Sequence, residues 1–95
     1  MSAQEIYVSR LAWVEDPETK YQTTEIKKGE ETYKVSVGRR EFGPIDEEDH
    51  DPPVLMWETR VVWPKGTEMT SVDFSRFESL KRALGHSGFT ARSGF

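Results

Sequence analysis

The chain has 95 residues and a mass of 11.0 kDa, a length that builds one hydrophobic core and leaves nothing for a second. Without cysteine it forms no disulfide, thiolate metal site or cysteine nucleophile, which excludes the stapled framework of small secreted domains and points to a reducing, cytoplasmic setting. A net charge of -4 runs against a uniformly basic surface, yet Asp46, Glu47, Glu48, Asp49 and Asp51 carry the excess: setting them aside leaves thirteen basic residues against twelve of the seventeen acidic ones.

Residues Ile6 to Val14 are rich in β-branched and aromatic side chains and predict a strand buried on much of both faces. Before them, Met1-Ser2-Ala3-Gln4-Glu5 lacks the basic start and apolar stretch of a secretory leader. No apolar run approaches the roughly 18 residues of a spanning helix, so no membrane association is expected. Asp16-Pro17-Glu18 reads as a turn, Tyr21 to Lys28 as an exposed strand, and Lys28-Gly29-Glu30-Glu31 as a hairpin loop. In the return strand Tyr33, Val35 and Val37 alternate with Lys34, Ser36 and Gly38, so one face is wet. Gly38, inside that alternation and just before Arg39 and Arg40, predicts a bulge or a bend. The acidic run, bounded by Gly43-Pro44 and Pro52-Pro53, has no apolar periodicity and predicts a mobile loop over 43–53.

Val54 to Trp63 predicts a central strand, with Leu55, Trp57, Thr59, Val61 and Trp63 on one face and Val54, Met56, Glu58, Arg60 and Val62 on the other. Pro64 to Thr67 turns the chain into a short edge strand over Met69 to Val72. Asp73 then reads as a helix N-cap, with Phe74, Phe77, Leu80, Ala83 and Leu84 as the apolar stripe and Gly85 as the C-terminal cap. His86 to Phe95, with its two Ser-Gly-Phe triplets, reads as a flexible tail. The expected fold is therefore α+β: an antiparallel β-sheet of four to five strands packed against one C-terminal α-helix, in a single domain over 1–85. Two apolar strand faces with one helix to cover them favour a homodimer.

Catalysis has little to stand on. The two histidines, His50 and His86, lie in no motif that pairs them with a serine or an orienting carboxylate, and no glycine-rich phosphate loop is present. No catalytic residue, metal ligand or cofactor is expected. The acidic run lacks the glycine and closing glutamate of a twelve-residue calcium loop, and like charges in a row are ordinarily solvated. What stands out is cationic. If Lys34, Arg40 and Arg60 share an exposed sheet face with Tyr21 or Trp57, that face combines phosphate contacts with a stacking plane, which a nucleic-acid single strand requires. Arg39 and Lys65 complete the candidate contacts. The rival expectation is a protein-binding adaptor or inhibitor that engages a basic partner through Asp46, Glu47, Glu48, Asp49 and Asp51 and an open sheet edge.

Several local stretches carry a resemblance: Tyr33-Lys34-Val35-Ser36-Val37 with Arg40-Glu41-Phe42, Val54-Leu55-Met56 with Thr59-Arg60, Pro64-Lys65-Gly66-Thr67-Glu68-Met69, and Phe77-Glu78-Ser79-Leu80-Lys81. Across about half the chain, this order resembles the single-stranded DNA-binding domain of the positive cofactor four type of transcriptional coactivator. The resemblance implies a curved four-stranded antiparallel sheet backed by one helix, dimerisation, and binding of single-stranded or melted DNA. It carries Lys34, Arg40, Arg60 and Lys65 as phosphate contacts. The acidic run and the N-terminal strand are additions to that pattern.

Overall fold

The computed structural model describes residues 4–43 and 52–93; Asp46, Glu47, Glu48, Asp49, Asp51 and His50 lie outside them. The elements in chain order are β1 (Gln4–Tyr7), a one-turn 3-10 helix (Val8–Arg10), β2 (Val14–Glu15), β3 (Gln22–Lys28), β4 (Glu31–Phe42), β5 (Val54–Val62), β6 (Glu68–Asp73), α1 (Arg76–His86) and β7 (Phe89–Arg92). Strands β2 to β6 form a five-stranded antiparallel meander in sequence order. Helix α1 packs on β4, β5 and β6, which gives the α+β architecture.

Period-two alternation decides which side of this sheet is dry. Val35 and Val37 of β4 stand opposite Val61 and Thr59 of β5, and all four are buried beneath Leu80, Ala83 and Leu84 of α1. The layer between helix and sheet also holds hydroxyls. Thr59 Oγ1 and Ser79 Oγ lie 2.7 Å apart, and Ser79 Oγ donates to the Ser71 carbonyl at 3.0 Å. A serine has one hydroxyl proton, so Thr59 is the donor in the first contact. Trp13, Trp57 and Trp63 pack against the rim of the core rather than inside it.

Four expectations need correcting. The apolar stretch from Ile6 to Val14 divides between two sheets: Leu11 N–H closes the 3-10 turn on the Val8 carbonyl at 3.3 Å, Trp13 Nε1 donates to the same oxygen at 3.0 Å, and the chain leaves β1 to pair Val14 with Thr23. Gly38 forms no bulge, because the β4–β5 register runs unbroken from Lys34↔Val62 to Phe42↔Val54. The helix begins later than predicted: Ser75 caps it, accepting the Glu78 N–H at 3.3 Å. Asp73 instead holds Ser75 N–H and Arg82, which leaves Phe74 71% exposed and off the apolar stripe.

The fourth correction is the tail. Phe89 to Arg92 form β7, which pairs in parallel with β1 in the register Gln4↔Phe89 to Tyr7↔Arg92. Gly88 makes the reversal out of the helix at φ +90, a backbone region that other residues resist. Phe89 and Ala91 then alternate inward and are buried. Phe89 meets Tyr33 edge to face at 5.0 Å, and Lys28 Nζ lies 5.5 Å from the Phe89 ring centroid. The β1·β7 ribbon thus shares with α1 the task of covering the core.

Candidate nucleic-acid interface

The opposite face of the sheet is open, and cationic side chains stand on it beside apolar ones such as Val14 and Val54. On β4 the outward positions are Lys34, Ser36, Gly38 and Arg40; on β5 they include Glu58 and Arg60, with Ser36 opposite Arg60 and Gly38 opposite Glu58. Lys34, Arg40 and Arg60 therefore share one face, as the alternation predicts. Of the two aromatic candidates, Tyr21 joins them. Trp57 lies on the helix side, where Arg39 stacks on it at 5.3 Å. Arg39 and Arg40 are neighbours in sequence and point to opposite faces. Lys65 is exposed in the β5–β6 turn, outside this cluster.

Glu58 organises the face. Its side chain is only 6% exposed, yet it accepts from Arg40 Nη1 at 2.9 Å and from the Tyr21 hydroxyl at 3.2 Å, with Arg60 Nη2 at 3.8 Å. Both arginine side chains keep about half their surface in water, at 55% and 46%. An arginine carries five N–H donors in a rigid fork, and Glu58 engages only part of each. The remaining donors are left for other partners. Arg40 is also braced from its other side by the Phe42 ring, 5.3 Å away.

Gly38 explains how Tyr21 reaches this site. The phenol ring lies directly on the β4 backbone, and a Cβ at position 38 would stand 2.5 Å from Tyr21 Cδ1, closer than carbon atoms pack. Burial pushes the Tyr21 hydroxyl pKa above its usual value, with the charge and hydrogen bond of Glu58 acting in the same direction. Because the folded pKa is raised, this group contributes stability that is complete below the unfolded pKa and is lost as pH rises through the folded one. Alkaline titration of tyrosinate absorbance is expected to show a component above the usual tyrosine pKa of 10.0 that disappears in Tyr21→Phe. A lost component that titrates at or below 10.0 would contradict the Tyr21–Glu58 contact.

Two concavities occupy the face. One, of about 640 Å³, lies around Tyr21, Arg40, Glu58 and Arg60, with Asp16 and Thr19 of the β2–β3 loop on its rim. The other, of about 540 Å³, is lined by Ala12, Val14, Glu25 and Lys34. Thr23 and Ser36 belong to both. Among the described residues no group of three or more histidine, aspartate or glutamate side chains gathers to hold a metal ion, and no helix is long and apolar enough to cross a membrane. His86 is exposed at the end of α1.

Glu58 was not among the residues that the sequence singled out. Its signal is a lone acid in a central strand that is apolar apart from the neighbouring Thr59 and Arg60, and such an acid must find partners when the strand is buried. Comparison of the chain with protein-family models, with curated proteins and with solved structures finds no match.

Proposed function

We propose that this protein is a non-catalytic binding module for single-stranded nucleic acid, which docks on the open sheet face. The observation that carries the reading is the placement of Arg40 and Arg60 on either side of Glu58, with Tyr21 and Lys34 on the same face. Phosphates need cationic donors and bases need a flat aromatic surface. Two guanidinium groups held by a shared carboxylate lose little side-chain freedom on binding, which favours affinity. The meander β3-β4-β5-β6 followed by α1 also follows the strand-and-helix order of the coactivator domain that the sequence resembles.

The test is fluorescence anisotropy with a labelled single-stranded oligonucleotide across a range of salt. Affinity is expected to fall as salt rises, because phosphate contacts release counterions. Arg40→Ala/Arg60→Ala is expected to weaken binding at least about ten-fold and to reduce the slope of log K against log salt by about two. Wild-type protein that fails to bind at low salt overturns the proposal.

A further inference from the structure

Resting on that reading, we infer that the nucleic-acid strand lies lengthwise along β4, in one groove that runs from Lys34 to Arg40, rather than across the sheet. The two concavities are successive stretches of this groove, because both contain Thr23 and Ser36 while one extends to Lys34 and the other to Arg40. Its floor is the outward row Lys34, Ser36, Gly38 and Arg40, which has no carboxylate. One wall is built by Ala12, Val14, Asp16 and Thr19; the other by Arg60 and Glu58.

The cations follow the same axis. Lys34 and Arg40 stand on the floor and Arg60 on one side, while the carboxylates Asp16, Glu25, Glu41 and Glu58 stand along the sides. A strand that crossed the sheet at Lys34 would run over Glu25 and on to Glu68, since the register places Glu25↔Lys34↔Val62↔Glu68 in one row. Along β4 it passes Lys34, then Arg60 beside Ser36, then Arg40. The six-residue offset from Lys34 to Arg40 spans about 20 Å at the usual strand rise, a site for about four nucleotides. Tyr21, lying on Gly38 in mid-groove, is the stacking plane.

Val14 acquires a role that its sequence does not announce. It is 64% exposed, and its pairing with Thr23 puts it on the open face. An apolar wall beside Lys34 receives a base while the lysine holds the adjoining phosphate.

Labelled oligodeoxyuridylate and oligouridylate of about two to ten nucleotides are titrated against wild type, Val14→Glu, Ala12→Glu and Ser93→Glu, with the fold of each variant followed by circular dichroism; the last position is exposed just after β7, outside the five-stranded sheet. Affinity is expected to climb with length and level off at about four nucleotides. Val14→Glu and Ala12→Glu are each expected to weaken binding about ten-fold, the worth of one lost stacking contact, with Ser93→Glu within two-fold of wild type. Ser93→Glu as weak as Val14→Glu, or wall variants that bind like wild type, would overturn the lengthwise path while leaving nucleic-acid binding intact. Absence of wild-type binding removes both.

Discussion

Phe89→Ala is expected to lower the stability of the fold by about 3–5 kcal/mol, the usual cost of emptying a buried phenylalanine site. The ring is 2% exposed and sits among Tyr33, Lys28 and the C-terminal end of the core. A domain of this length has only about 5–14 kcal/mol in hand, so the loss leaves it close to unfolding at ordinary temperature. Urea denaturation followed by tryptophan fluorescence measures it directly. A midpoint within error of wild type would show that residues 89–92 are not part of the cooperative unit, and with that the β1·β7 ribbon would have no energetic role.

The second large effect is at Glu58. Replacing it with alanine removes the acceptor shared by Tyr21, Arg40 and Arg60 from a position that is 4% exposed. A buried ion pair broken on one side costs about 3–5 kcal/mol. Here the two arginines are half in water and rehydrate, so the expected loss is smaller, about 1–3 kcal/mol. Glu58→Gln keeps the shape and one acceptor, and is expected to fall between alanine and wild type. The check is the denaturation midpoint at constant m-value. An alanine variant as stable as wild type would mean that the carboxylate neither braces Tyr21 nor orients the guanidinium groups.

How much of this was legible in the sequence depended on whether the relevant signal is local. The alternation of Tyr33, Val35 and Val37, and that of Trp57, Thr59 and Val61, is period two and self-contained, so β4, β5 and the wet face they share were readable in advance. The same parity separates Arg39 from Arg40, and applied strictly it would have removed Arg39 from the cationic cluster. The helix stripe was readable, but its start was misplaced. Asp73 and Ser75 are both good caps, and only the pairing of Asp73, the last residue of β6, with Trp57 of β5 decides for the serine. β7 was beyond local reading. Five residues between glycines hold no periodicity worth trusting, and the partner of this strand lies at the other end of the chain. Gly38 gave a true signal with a wrong interpretation, since the missing side chain accommodates a ring from β3's approach and not a kink in β4.

The parallel pairing of β1 with β7 has a kinetic consequence. Arg92 and Glu5, joined by a 3.1 Å ion pair, are separated by 87 positions, so the ribbon closes nearly the largest loop that the chain can make. Contacts this distant in sequence slow folding and form after local hairpins. During synthesis the meander and helix can assemble first, with Ile6, Val8 and the Tyr33 ring left wet until the last strand arrives. Amide exchange should accordingly find the backbone of both ribbon strands opening together, as one latch.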